Sequence, residues 1–196
     1  MRNIRVAKRY ARSLFDAAQM HQCLDAIRAD VELFRVTFMQ SGPLRAFLRN
    51  PVIAAERKVT ILRELFSTRT HQLFTAFVEL VCMKGRENLL DQIADQFIVL
   101  YNENAGIIPA HVTTAVELSA HLVPRVEEFI ARRFGGKPEL TFSVNPAILG
   151  GIVITCGDIR LDASLVGQIQ RLRTTLLHAT RLHNLSTDGA GSRHAQ

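Results

Sequence analysis

The residues that could support chemistry in this 196-residue chain fall into small sets, and each set lacks a part that its reaction requires. Gly135-Gly136-Lys137-Pro138 has the glycine and lysine of a phosphate-cradling loop, in which backbone N–H groups and the lysine hold a nucleotide's phosphates. However, the glycine required five residues before Gly136 is Ala131, Pro138 replaces the Ser or Thr that would meet magnesium, and the preceding segment reads as helix instead of strand. Of the seven histidines, at 21, 71, 111, 121, 178, 183 and 194, only His178 and His183 are close enough to share a helix. Five residues apart, they suit one metal poorly, and the histidines read as surface residues. Glu127-Glu128 has the composition of a general acid and base, but Arg125, Arg132 and Arg133 flank it, and an i,i+4 pair of Glu128 with Arg132 accounts for the charges. Neither a GxSxG nucleophile elbow nor an HExxH zinc helix occurs. Cys23, Cys82 and Cys156 are 59 and 74 residues apart, which is neither a redox pair nor zinc spacing, so they read as small core hydrophobes. The expectation is a non-enzyme with no catalytic, cofactor or metal site.

The net charge of +6 is uneven: residues 1–50 hold nine Lys/Arg against four Asp/Glu, whereas residues 51–150 hold ten against eleven. A basic N-terminal stretch suits nucleic acid, anionic lipid or a solvated helix face. Arg5, Lys8, Arg9 and Arg12 interleave with apolar positions and no RNP or KH signature occurs, so nucleic acid is not the expected partner. A freestanding basic helical module, binding nucleic acid or another protein, is the alternative reading. No run approaches the roughly 20 apolar residues of a membrane-spanning helix. The arginines and lysines of the first twelve residues also interrupt any signal-peptide core.

The surrounding elements follow from periodicity. Ala7, Tyr10, Ala11, Leu14, Phe15 and Ala18 recur at steps of three and four, predicting one helix over 4–20. Leu24, Ile27, Val31, Phe34 and Phe38 predict a second, ended by Ser41-Gly42-Pro43. A short apolar piece, 44–48, leads into Asn50-Pro51; Val59, Leu62, Leu65 and Phe66 mark the next helix. A fifth holds Leu73, Phe74, Phe77, Val78, Leu80 and Val81 and closes at Lys84-Gly85, and a sixth holds Leu89, Leu90, Ile93, Phe97, Val99 and Leu100. Beyond Gly106 the pattern changes. Val112, Thr113, Thr114 and Val116 are β-branched, Ser119 suits a helix N-cap for 120–134, Leu140, Phe142 and Val144 alternate, and Gly157-Asp158 reads as a hairpin turn. A last helix over 164–181 is predicted, with Asp162 or Ser164 as its N-cap, while Gly150-Gly151 serve backbone geometry.

The predicted fold is mainly α. A six-helix bundle over 1–105 precedes a small α/β domain over 106–182 in β-α-β-β-α order, and 183–196 form a tail expected to be disordered.

Four ordered segments carry a family resemblance. They are Val6-Ala7-Lys8-Arg9-Tyr10-Ala11-Arg12-Ser13-Leu14-Phe15; Phe47-Leu48-Arg49-Asn50-Pro51 with Lys58 and Ile61-Leu62; Phe77 through Lys84-Gly85-Arg86 to Tyr101-Asn102 and Val112-Thr113-Thr114; and Asn145-Pro146-Ala147-Ile148-Leu149-Gly150-Gly151 with Leu161-Asp162-Ala163-Ser164-Leu165. In order and spacing over 4–177 they resemble the ATP synthase delta family, called OSCP in mitochondria. The first helix carries more arginine than that family's average, and the tail after His178 has no counterpart.

That resemblance implies a non-catalytic stator subunit of the F-type ATP synthase, one copy per complex, on the cytoplasmic side of a bacterial inner membrane and without a span of its own. It implies that the helical domain binds the N-terminal segment of an alpha subunit in a groove between the first and fifth helices. Tyr10, Ser13 and Leu14 would lie on one side and Phe77, Leu80, Val81 and Lys84 on the other, with Ala7 and Ala11 allowing close approach. It also implies that the second domain meets the peripheral-stalk b subunits, for which Leu165, Ile169, Leu172 and Leu176 of the last helix are the candidates. The direct start at Met1 suggests a bacterial protein.

Overall fold

The computed structural model describes the backbone of residues 2–188 and the side chains of residues 4–176. The chain forms two compact units, Met1–Ala105 and Gly106–Gln196.

The first unit is helical: α1 (Arg2–Met20), α2 (Leu24–Gln40), α3 (Gly42–Arg49), α4 (Ala55–Phe66), α5 (Gln72–Met83) and, after a 3-10 turn at Glu87–Leu89, α6 (Leu90–Ala105). On α1, Ala7, Ala11, Leu14, Phe15 and Ala18 are all buried, as their spacing requires. The three alanines let α1 lie closely on α6, where the Phe15 and Phe97 rings meet at 6.1 Å. Phe34 of α2 gathers Phe38, Phe66 and Phe74 around it with ring centroids 5.7 to 6.2 Å apart, joining α2 to α4 and α5. Leu65 and Val99, which share the apolar periodicity, point outward and are 47% exposed.

Polar side chains fix the junctions. Ser41 Oγ accepts the Leu44 N–H at 3.2 Å, starting α3 with Pro43 in its first turn. Asp30 is buried and accepts the His71 N–H at 2.7 Å, which satisfies a donor at the start of α5; burial holds its carboxyl above the usual range despite that bond. Lys58 is the unexpected member of this core, at 1% exposure. Its ammonium donates to the Leu48 carbonyl at 3.1 Å and to Glu87 Oε1 at 2.6 Å, tying α3, α4 and the 3-10 turn at one point.

The second unit holds β1 (Ile107–Thr114), α7 (Val123–Phe134), β2 (Lys137–Val144), β3 (Ile152–Cys156), β4 (Ile159–Asp162) and α8 (Leu165–Asp188). The sheet order is β2-β1-β3-β4, with β1 parallel to β2 and the other pairs antiparallel. The order is therefore β-α-β-β-β-α, one strand more than the β-α-β-β-α prediction, because both arms of the Gly157-Asp158 hairpin pair in the sheet. Gly157 takes φ +55 at the first turn position, as a tight hairpin requires. Ala110, Val112, Ile154 and Cys156 face Ile130 of α7 to form the core. On the opposite face His111 bridges Thr141 (3.1 Å) and Ser143 (2.9 Å).

Two local expectations need correction. Ser119 makes no side-chain cap bond; a 3-10 turn, Ala120–Leu122, intervenes before α7, which starts with Pro124 in its first turn. The last helix does not end near Arg181 but continues to Asp188, so 183–188 are helical, while 189–196 of the expected tail lie outside the described residues.

Candidate functional site

Three apolar surfaces stand out, and each is built by a specific local device. The first lies between α1 and α5. The turn between α1 and α2 is short, so they run antiparallel, and α5 runs parallel to α2 because Asp30 meets His71 and Phe34 meets Phe74. Consequently α1 and α5 are antiparallel, with the N-terminal half of α1 beside the C-terminal end of α5. Tyr10 and Phe77 are half-buried and meet edge to face, ring centroids 6.4 Å apart. Leu80 is 49% exposed, and Ser13 and Lys84 are exposed beside them, Ser13 Oγ donating to the Arg9 carbonyl at 3.1 Å.

Leu14 and Val81 do not reach this surface. Their exposures of 2% and 0% place them in the core beneath it, and Ala7 and Ala11 are likewise covered. The reason is angular: Leu14 lies one position from Ser13 and Val81 one from Leu80, about 100° around the helix, which turns each inward.

Sequence reasoning did not single out Arg86. α5 ends in a Schellman turn: Gly85 takes φ +64, its N–H reaches the Cys82 carbonyl at 2.9 Å, and the Arg86 N–H reaches the Val81 carbonyl at 3.1 Å. This reversal returns the Arg86 guanidinium to Tyr10, where it donates to the phenol oxygen at 3.0 Å and lies 5.4 Å from the ring centroid. The Lys84-Gly85-Arg86 pattern was the available signal.

The second surface is the outer stripe of α8. Ser164 is its N-cap: Ser164 Oγ accepts the Gly167 N–H at 3.0 Å and donates to Asp162 Oδ1 at 2.6 Å. The bonds from the Ser164 hydroxyl and N–H, with Arg160 nearby, hold the Asp162 carboxyl below its ordinary range. Gly151, at φ +80, lies so near the Ala163 carbonyl that a Cβ there would come within 2.3 Å, so only glycine lets β3 and the α8 start approach. From this anchor Leu165, Ile169, Leu172 and Leu176 project at i, i+4, i+7 and i+11 with exposures of 47 to 66%.

The third surface, also absent from the sequence reading, is an apolar groove of about 550 Å³ between α7 and the sheet. Leu122, Val126 and Phe129 line one wall and Ile152, Ile154 and Leu161 the other, with Arg125 at the edge. The apolar residues 118, 122, 126 and 129, at steps of four and three, were the available signal.

Exposed apolar surfaces on buried supports suit macromolecular binding. Burial pushes the Cys82 thiol up to about 12, with Glu87 adding to it, so it is held as a neutral packing group. Among the described residues no helix is long and apolar enough to cross a membrane.

Comparison with known proteins agrees with this picture. Residues 6–176 match the family model described as ATP synthase delta (OSCP) subunit. ATP synthase subunit delta of Thermosynechococcus vestitus is 35% identical over 176 residues, spanning 89% of this chain and 95% of that protein. Subunit delta of Chlorobium luteolum is 34% identical, spanning 90% and 97%. A chain in the cryo-EM structure of the Toxoplasma gondii mitochondrial ATP synthase hexamer shares the fold, with a TM-score of 0.70 at 23% identity over 87% of this chain and 97% of that one. The chain therefore belongs to the ATP synthase delta (OSCP) family, the non-catalytic peripheral-stalk subunits of the membrane-associated F-type ATP synthase, whose catalytic sites lie on other subunits.

Proposed function

We propose that the first unit holds the catalytic head by binding the N-terminal segment of an alpha subunit as an amphipathic helix between α1 and α5. The second unit, in this reading, holds the C-terminal ends of the b subunits. One copy thus links head and stalk on the cytoplasmic side of a bacterial inner membrane and resists the torque that would drag the head round with the rotor. The observation that carries the first half is the half-exposed Tyr10–Phe77 pair beside Leu80, above a core already closed by Leu14 and Val81. Apolar anchors at i, i+3, i+4 and i+7 of a guest helix match such a surface. For the second half, the α8 stripe and the α7–sheet groove supply the apolar area, with Leu165 packed against the Gly150 corner near that groove.

The test is titration of a labelled alpha N-terminal peptide of about 20 residues into the whole chain. Saturable binding at micromolar peptide is expected, and Leu80→Asp weakens it by about 30-fold or more, the scale of an interface anchor, without loss of helical circular dichroism. Absence of saturable binding rejects the groove. Lost helicity in Leu80→Asp instead shows that Leu80 supports the fold.

A further inference from the structure

The groove between α1 and α5 is electrically lopsided, and the inference drawn here rests on its being the alpha-subunit site. α1 has no acidic residue before Asp16, yet carries exposed Arg5, Lys8 and Arg9 in its first half. Cations near a helix N-terminus oppose the helix dipole, so helix stability does not account for them. Asp16 pairs with Arg12 at 3.0 Å, whereas among the described residues Arg5, Lys8, Arg9 and Lys84 have no ion-pair partner. The antiparallel packing places Lys84 and Arg86, at the end of α5, beside this same half of α1. Arg5, Arg9 and the groove residue Ser13 stand in one row at i,i+4 steps, whereas Lys8, two positions from Tyr10, faces away, so with Lys84 and Arg86 four cations gather at one end of an apolar groove, and the Schellman turn holds one of them, Arg86, against Tyr10. Local rules broken without benefit to the fold mark functional surfaces.

We infer that the occupant of this groove is an amphipathic helix with acidic side chains flanking its apolar stripe at one end, and that this end lies over Arg5, Arg9, Lys84 and Arg86. The apolar contacts hold the helix and the charges choose its direction. An inverted helix would leave its carboxylates without partners and abandon the basic end. Because the cations lie on the rim, their effect falls mainly on encounter and salt dependence.

The experiment measures association and dissociation rates of the alpha N-terminal peptide with the whole chain from about 50 to about 500 mM salt, a range over which the screening length shortens to a few ångströms. Association should slow by about tenfold or more across that range, since steering by surface charge is screened. Arg5→Gln with Arg9→Gln should slow association about tenfold at low salt and flatten the salt dependence, while dissociation stays within about threefold. Replacing the peptide's Asp and Glu by amides should reproduce this. Arg132→Gln with Arg133→Gln removes the same charge from α7 and should change neither rate.

Unchanged rates in the Arg5/Arg9 variant, with Leu80→Asp still weakening binding, overturn this inference and leave the groove reading intact. Loss in that variant of binding to phosphatidylglycerol vesicles, with peptide kinetics unaltered, overturns it in favour of a lipid surface. No saturable peptide binding by the unmodified chain overturns both readings.

Discussion

The two units differ in how far each satisfies itself. The first buries large side chains on every helix, and even Lys58 finds a carbonyl and a carboxylate inside. Among the described residues, of the largest side chains with under 2% exposure, only Ile130 and Val112 belong to the second unit. That unit leaves the α8 stripe and the α7–sheet groove uncovered. Propensity alone sustains isolated helices poorly, yet Leu165, Ile169, Leu172 and Leu176 of α8 keep about half or more of their surface exposed. The first unit thus closes its own core beneath the Tyr10–Phe77 surface, whereas the second leaves apolar surface exposed.

Glu87→Ala tests the self-sufficiency of the first unit and has the largest expected effect. It leaves the Lys58 ammonium buried without its carboxylate, a loss of about 3–5 kcal/mol measurable by denaturant unfolding. Lys58→Met with Glu87→Leu should recover part of that loss, because removing both charges also removes their desolvation cost. A loss under about 1 kcal/mol for Glu87→Ala would show that water reaches the site.

The second unit should behave in the opposite way at its exposed stripe. Ile169→Asp with Leu172→Asp should leave the unfolding midpoint of the free chain nearly unchanged, as surface changes do. The same double variant should weaken co-purification with b subunits by about 2 kcal/mol or more, the range of interface anchors. Lower stability in the free chain would mean that the stripe is packed within the subunit, and the contrast would fail.

Ser164→Ala removes the α8 cap and should cost about 1 kcal/mol of local stability, seen as faster hydrogen exchange at Gly167 and Gln168. Exchange that does not change would move the anchor of α8 to the Gly151 corner instead.

Acid gives the smallest effect, with opposite sign in the two units. Asp30 has its folded pKa raised by burial above the ordinary aspartate value, so its contribution is greatest below that value and is lost as pH rises through the folded pKa. Asp162 is lowered by its Ser164 bonds, so its contribution is present above 3.8 and is lost as pH falls through the folded pKa. Carboxyl carbon NMR titration should place the two midpoints on either side of the ordinary aspartate value. Asp30→Asn should flatten the first dependence without disturbing α5, since the amide oxygen still accepts the His71 N–H.

Much of the architecture was legible in the residues because local periodicity is a direct record of which side faces a core. The steps of three and four through Ala7, Ala11, Leu14 and Ala18 specified α1, and Gly85 announced the end of α5. The hairpin at Gly157-Asp158 was equally readable. Where local signals were ambiguous the reading slipped: Ser119 had the chemistry of a cap but preceded a 3-10 turn, and polar residues after Arg181 concealed the continuation of α8. Arg86 and the α7–sheet groove were missed because each depends on residues distant in sequence, Tyr10 for one and β3 for the other.

The sequence by itself determined the succession of helices, the change to alternating strands after Gly106, and, through ordered motifs in both halves, the family. Only the tertiary structure decided which apolar residues form surface and which form core. Tyr10, Leu14, Leu80 and Val81 belong to the same periodic runs, yet the first and third are accessible whereas the second and fourth are closed. Periodicity defines a stripe about 100° wide but not which neighbouring helix covers each of its edges. The burial of Lys58 was likewise decided in three dimensions, since its carboxylate lies 29 residues away on another element and no local pattern connects them.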